Sequence, residues 1–203
     1  MKILVFDTET TWFINKKNPQ LDKQPYIIQF AWILWEIDNW KYFKEIERKD
    51  MFFKPPISIP FDASQVHHIY DVDVKDKSPI SEKIDELMSF INLADIIIWH
   101  NIEYDEMMLD VELSRLQKKH LYHPPQVICT MKETVDYCAL IGNGQRYKYP
   151  KLGELYKKLF WEYFIWAHDA MTDVEATLKC FIELYSQGII QPKQEKNQSI
   201  SLF

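Results

Sequence analysis

Residues 3–9 read Ile-Leu-Val-Phe-Asp-Thr-Glu, and the reading of the fold starts from them. A short, wholly apolar run such as Ile3–Phe6 reads as a strand buried on both faces. Asp7 and Glu9 follow at strand spacing i and i+2, so they project from one face at the end of that strand. A second run of the same kind, Ile96-Ile97-Ile98-Trp99, leads into His100-Asn101-Ile102-Glu103-Tyr104-Asp105, where a helical pattern begins. A third segment reads His168-Asp169-Ala170-Met171-Thr172-Asp173. On a helix His168 and Asp173, five apart, would differ by about 140°. They share a site only if His168 sits on a loop ahead of the helix, which Trp166-Ala167 allows. Hard carboxylate oxygens from Asp7, Glu9, Asp105 and Asp173, if clustered, suit Mg²⁺ or Mn²⁺ and not zinc.

Taken in order, the three segments resemble the motifs of the DEDD superfamily of 3′–5′ exonucleases, in its histidine, DnaQ-like branch. That family carries Asp-x-Glu in its first motif, Asp in its second and His-x-x-x-x-Asp in its third, here FDTET, HNIEYD and HDAMTD. The tyrosine branch would place Tyr four residues before the last Asp, where this chain has Asp169. A lone Asp-x-Glu carries little weight, whereas three motifs in order, each in its strand or helix context, carry much more. The resemblance covers residues 3 to about 185. It implies an α/β ribonuclease H-like fold, a five-stranded mixed sheet flanked by helices. It also implies that Asp7, Glu9, Asp105 and Asp173 hold two divalent cations, with Asp7 bridging them. His168 is then the general base that takes a proton from the attacking water, a task suited to an imidazole near neutral pKa.

Further residues are candidates for holding the nucleotide. His67 lies where many relatives carry a His-Gly pair beside the 3′ end, although His68 replaces the glycine. Thr8 and Thr10 could offer backbone amides to the terminal nucleotide. Asn101 and Tyr104 flank the second motif and could line its pocket, Tyr104 being equally suited to the core. Trp32, Trp35, Trp99, Trp161 and Trp166 read as core residues rather than as stacking platforms.

Along the chain, residues 2–7 read as a first strand, 26–37 as a long second strand and 40–46 as its hairpin partner across an Asp38-Asn39 turn. Asp62 with Gln65 reads as a capping box for a short helix through His67 and His68. Ser78-Pro79 reads as the start of another helix. Then come a fourth strand (95–99), a long helix (104–120), a short fifth strand (127–129), a helix around 132–139, a polar loop (141–149) and helices over 151–160 and 170–187. Strands followed by alternating helices and strands indicate a mixed α/β sheet.

The chain has 203 residues, enough for one well-buried core, with 47% hydrophobic and 15% aromatic residues. Cys129, Cys138 and Cys180 show no CxxC spacing and read as buried thiols of a reducing cytoplasm. The chain reaches Asp7 and Glu9 too soon for a signal peptide, and no apolar run is of membrane-spanning length, so a cytoplasmic location without a membrane partner is expected. A net charge of −6 argues against a protein that grips long duplexes by a basic face. It fits an enzyme that holds a few terminal nucleotides and is recruited by something else.

Residues 1–188 are expected to form the exonuclease domain and 189–203 a flexible tail. The tail is polar and lysine-bearing until Ser199-Ile200-Ser201-Leu202-Phe203. That ending resembles the bacterial sliding-clamp-binding peptide, with Ile200, Leu202 and Phe203 as the apolar anchors and Ser199 in place of its usual Gln. The sequence thus points to a metal-dependent 3′–5′ exonuclease acting on single-stranded 3′ ends of DNA, of the proofreading or repair type, with a sliding clamp and a DNA polymerase as candidate partners. Two alternatives stand beside it: an exoribonuclease of the oligoribonuclease or ribonuclease T kind, or an inactive exonuclease fold that bridges other proteins.

Overall fold

The computed structural model describes residues 1–38, 42–123, 126–142, 144, 146–164 and 168–192. Five strands form one sheet in the order β3-β2-β1-β4-β5. They are β1 (Lys2–Thr10), β2 (Ile27–Asp38), β3 (Tyr42–Phe52), β4 (Ile96–Trp99) and β5 (Gln126–Cys129). β1 pairs antiparallel with β2 and parallel with β4, β2 pairs antiparallel with β3, and β4 pairs parallel with β5. This is the expected mixed sheet. The helices are α1 (Phe61–His67), α2 (Asp71–Val74), α3 (Ile84–Leu93), α4 (Ile102–Arg115), α5 (Thr130–Glu133), α6 (Val135–Cys138), α7 (Leu152–Phe160) and α8 (Ala170–Ser186).

The central strand is apolar on both faces because both are covered. Leu4 and Phe6 of β1 join Trp99 of β4, Met88 of α3 and Leu109 and Leu113 of α4 in one core. Ile3 and Val5 join Ile96 and Ile98, and Val174, Leu178 and Phe181 of α8, in the other. The alternation of a strand therefore sends even-numbered β1 side chains towards α4 and odd-numbered ones towards α8. A third, small core under α1 and α2 gathers Ile28, Ile59, Ala63, Ile69 and Val74. Cys129, Cys138 and Cys180 are buried free thiols. No helix among the described residues is long and apolar enough to cross a membrane.

Several local expectations differ from the structure. β3 runs to Phe52, because its alternating charged residues tolerate a half-exposed edge. α1 begins after Pro60 with no side-chain cap, so Asp62 lies inside the first turn and forms no capping box. Its last residue is His67, and His68 turns out of it at φ 60°. After Ser78-Pro79 comes only a 3₁₀ turn, Ile80–Glu82, before α3. α4 stops at Arg115, where Gln117 enters the left-handed region. The helix expected around 132–139 is two single turns, α5 and α6, divided at Thr134. Trp32 and Trp99 are core residues, and Trp35 is partly buried, but Trp161 is 88% exposed. Trp166 lies outside the described residues, as do Ile200, Leu202 and Phe203 of the tail. Ile190 is buried in the α8 core.

Candidate active site

The site forms at the C-terminal end of β1, where the strand outruns β4. β4 pairs with β1 only as far as Val5, leaving Asp7, Thr8 and Glu9 beyond the parallel ladder. The alternation along β1 turns Asp7 and Glu9 to the α8 side and Thr8 to the α4 side. From the α4 side comes Asp105, in the first helical turn and 4% exposed. Its Oδ1 accepts the Thr8 hydroxyl at 2.8 Å. From the other side comes Asp173, in the first turn of α8, whose Oδ2 accepts the backbone N–H of His168 at 3.0 Å. Both helices present their N-terminal ends, where the macrodipole favours carboxylates.

His168 sits ahead of α8, on the loop, as sharing a site with Asp173 requires. It occupies left-handed backbone at φ 72°, a costly conformation for a side chain of this size, and the N–H bond to Asp173 helps to hold it there. Glu9, His168 and Asp173 offer ligand atoms that all lie within 4.8 Å of one another. Among the described residues, no lysine or arginine pairs with Asp7, Glu9, Asp105 or Asp173.

This unpaired crowding shows in the acidities. Burial pushes the Asp7 carboxyl well above its ordinary range, and Asp105, Asp173, Glu9 and Asp169 add repulsion. Burial, then Asp173, Asp105 and Asp169, push Glu9 up to about 8. Burial pushes Asp105 up to about 7 against the opposing pull of the Thr8 hydroxyl. Burial raises Asp173 to about 7 as well, the His168 N–H opposing. Buried like charges at such separation resist ionising together unless a cation joins them.

One positioning residue was not singled out from the sequence. Gln29 of β2 lies opposite Glu9 in the ladder and is fully buried. Its amide donates to Asp50 Oδ1 at 2.9 Å and Asp169 Oδ1 at 3.2 Å, and its carbonyl accepts the Ala170 N–H at 3.2 Å. Asp169 in turn caps α8 through Thr172 N–H at 3.0 Å. Gln29 thus ties the start of α8, and with it Asp173, to the sheet. The available signal was a lone amide in the apolar run 26–37.

The residues expected to hold a nucleotide are placed unevenly. His67 is buried, with Nδ1 accepting the Ile69 N–H at 3.0 Å, and burial lowers its pKa to about 4. With His68, Ile69, Lys77 and His168 it lines a cavity of about 520 Å³. Thr10 Oγ1 and the Tyr104 hydroxyl meet at 2.5 Å, and both reach the Trp12 carbonyl. With the Thr8 hydroxyl given to Asp105, both threonine side chains are engaged internally. Tyr104 is half-buried, between the two readings open from the sequence. Asn101 is exposed, in left-handed backbone at the start of α4, and lies apart from that cavity.

The sheet order, the strand end crowded with acids and the helix N-termini facing it define a nuclease-like α/β protein. A family model described as exonuclease (RNase T) matches residues 4–181, and the chain belongs to that family of hydrolases. It is 31% identical over 118 residues to the DNA polymerase III subunit epsilon of Buchnera aphidicola subsp. Schizaphis graminum, a match covering 58% of this chain and 48% of that one. The chain thus spans about half the length of this curated relative. Among solved structures, the zinc-bound E. coli ExoI–ssDNA complex superposes with a TM-score of 0.68 at 20% identity, over 92% of this chain and 40% of that one. Exonuclease X in complex with 5′ overhanging duplex DNA superposes with a TM-score of 0.57 at 21% identity, over 92% and 93%. At these identities the two structures speak for the shared ribonuclease H-like fold.

Proposed function

We propose that this chain removes nucleotides one at a time from the 3′ end of single-stranded DNA, with Asp7, Glu9, Asp105 and Asp173 as the metal-binding set and His168 as the general base. The observation that carries this reading is the convergence of four carboxylates from β1, α4 and α8, with no lysine or arginine partner among the described residues and with pKa values raised by burial and mutual repulsion. That donor set fits divalent cations: hard oxygens, excess negative charge and helix ends that fix the two outer acids. Bound cations would neutralise charge building on the phosphate and acidify the attacking water.

The rest is the work of the chain's own residues. Burial, together with Lys151 and His68 nearby, lowers the His168 pKa, so its imidazole is neutral at neutral pH and free to accept a proton at a ring nitrogen. The Asp173 carboxylate accepts the His168 backbone N–H and so holds the loop from which the imidazole projects. Thr8 holds Asp105, and Gln29 with Asp169 holds the start of α8.

The preference for DNA, and a proofreading role beside a polymerase, draw support from the polymerase III subunit epsilon relative and from the DNA bound in both solved structures. Recruitment by a sliding clamp is supported by the sequence ending Ile-Ser-Leu-Phe. The test is digestion of matched DNA and RNA oligonucleotides labelled at the 5′ end, in EDTA and in Mg²⁺ or Mn²⁺. A ladder shortening from the 3′ end on DNA, lost in EDTA and restored by metal, is the expected result. Undiminished cleavage in EDTA overturns the metal site, faster cleavage of RNA favours the exoribonuclease reading, and no cleavage of either favours the bridging module.

A further inference from the structure

We propose that the outer face of α7 and the turn after it bind the single-stranded nucleic acid on the 5′ side of the 3′ end. This rests on the exonuclease reading. A cavity of about 290 Å³ lined by Lys151, Leu152, Phe164, His168 and Asp173 opens from the carboxylate cluster. A second, of about 420 Å³, is lined by Tyr156, Tyr163, Phe164, Glu175 and Lys179. Phe164 lines both, so the second cavity lies next to the one that holds His168, on the side of the turn after α7.

Beside these cavities, α7 and the turn after it carry exposed rings and lysines. Trp161 and Tyr163 are 88% and 76% exposed. Trp161 occupies the left-handed C-cap of α7 at φ 60°, a position that favours glycine. Neither packing nor backbone geometry accounts for a tryptophan there, whereas a ring free on both faces is what an unpaired base stacks on. Lys157 Nζ lies 4.1 Å from the centre of the Tyr163 ring, and Lys179 Nζ 4.2 Å from that of Phe160.

The charge on this face runs against that of the chain. Among the described residues, Lys157 and Lys158 are exposed and have no carboxylate partner. Of the acids nearby, Glu175 is held by Arg48 and Glu154 by Lys148, while Glu162 comes within 3.9 Å of Lys179. In a protein of net charge −6, cations interleaved with exposed rings on one helix match a strand whose phosphates meet the lysines and whose bases meet the rings. The nearness of this face to the carboxylate cluster, through Phe164, favours this occupant over a protein.

The test compares the full chain with Trp161→Ala, Trp161→Phe and the double variant Lys157→Ala/Lys158→Ala. Two readouts are needed: affinity for a fluorescein-labelled 12-mer oligothymidylate by anisotropy in EDTA, and turnover of thymidine 5′-monophosphate p-nitrophenyl ester, which is too small to reach the C-terminal end of α7. For Trp161→Ala the dissociation constant should rise roughly tenfold, with Trp161→Phe restoring most of it. For the lysine pair the slope of log affinity against log salt should flatten by about 1.4, roughly 0.7 per phosphate contact. Ester turnover should be unchanged in all three. Unchanged 12-mer affinity and salt slope, or equal losses on both substrates, overturn the proposal. If the wild-type chain binds the 12-mer through these residues but hydrolyses neither substrate, the exonuclease reading fails and this surface stands.

Discussion

The Thr8 hydroxyl donates to Asp105 Oδ1 at 2.8 Å and so joins β1 to the first turn of α4 across 97 positions of sequence. Asp7 and Glu9 leave the same strand by the opposite face, so one strand end gathers acids from both layers of helices. Thr8→Val keeps the shape and deletes the donor. The Asp105 carboxyl then loses an interaction that favours its charged form and fixes its rotamer. Such supporting contacts are worth about 10–100-fold in metal affinity or activity, so the Mg²⁺ concentration for half-maximal rate should rise by roughly tenfold or more. Thr8→Ser should retain the wild-type metal dependence. A Mg²⁺ titration of all three proteins decides it, and identical curves for Thr8→Val and wild type would dismiss the contact as incidental.

The raised pKa values of these carboxyls predict an unusual pH dependence for the metal-free protein. A carboxyl whose folded pKa lies above its unfolded value binds more protons folded than unfolded between the two, so its contribution to stability falls as pH rises. For Glu9, Asp105 and Asp173 that window runs from the ordinary carboxyl range to about 7 or 8. In EDTA the melting temperature should therefore drop between pH 5 and pH 8, and Mg²⁺ should raise it more at pH 8 than at pH 5. Asp7→Asn should melt higher than wild type at pH 8 in EDTA, yet lose a thousandfold or more in rate, about 4 kcal/mol of transition-state stabilisation. Melting that is flat across this range, or an Asp7→Asn protein that unfolds, contradicts the account.

His168→Ala or His168→Gln should lower turnover by roughly 10²–10⁴-fold with metal affinity largely kept. The wild-type rate should fall on acidification as the imidazole protonates, and that limb should vanish in the variants. Isothermal titration with Mn²⁺, alongside rate–pH profiles, separates the base from a ligand. Metal affinity lost in step with rate would make His168 a ligand with Glu9 and Asp173, as their spacing within 4.8 Å permits.

Gln29→Leu removes an amide that makes three hydrogen bonds in a fully buried position. It takes the partner from the Ala170 N–H and the Gln29 donor from Asp50 Oδ1 and Asp169 Oδ1, a loss of about 1–3 kcal/mol. Because these bonds anchor the start of α8, rate should fall as well as stability, and the Asp173–His168 segment should exchange its amides faster with deuterium. A destabilised protein with wild-type rate at low temperature would make Gln29 a purely structural residue.

The positions of the acids were legible because each follows an element written in strong local code. Ile3–Phe6 and Ile96–Trp99 can hardly be anything but buried strands, and Asp173 opens a long amphipathic pattern. What escaped depends on pairings between distant residues. Gln29 means nothing until Asp169, 140 positions later, comes to lie beside it. The exposure of Trp161 was hidden by composition, since a tryptophan in an aromatic-rich chain reads as core until the left-handed turn at the end of α7 puts it outside. Helix ends were misread where no side chain caps them, as at Pro60 and Pro79, because the backbone and not a motif decides the start.

The last prediction concerns the tail, whose reading comes from sequence alone. The chain carries a net charge of −6, so its own hold on nucleic acid should be weak and salt-sensitive. Tethering to a ring that encircles the duplex would compensate for this by keeping the enzyme near its substrate at an effective concentration on the order of millimolar. Leu202 and Phe203, large and apolar, should supply most of the binding energy by entering a hydrophobic pocket, with Ile200 beside them. Deleting 200–203 should leave digestion of free oligonucleotides unchanged. It should abolish binding to the sliding clamp of the same cell and any stimulation by that clamp on primed DNA. Surface plasmon resonance with the clamp immobilised measures the first, and a primed-circle digestion the second. No measurable affinity of the intact chain, or an affinity untouched by the deletion, would remove the clamp from the account and leave the carboxylate site standing.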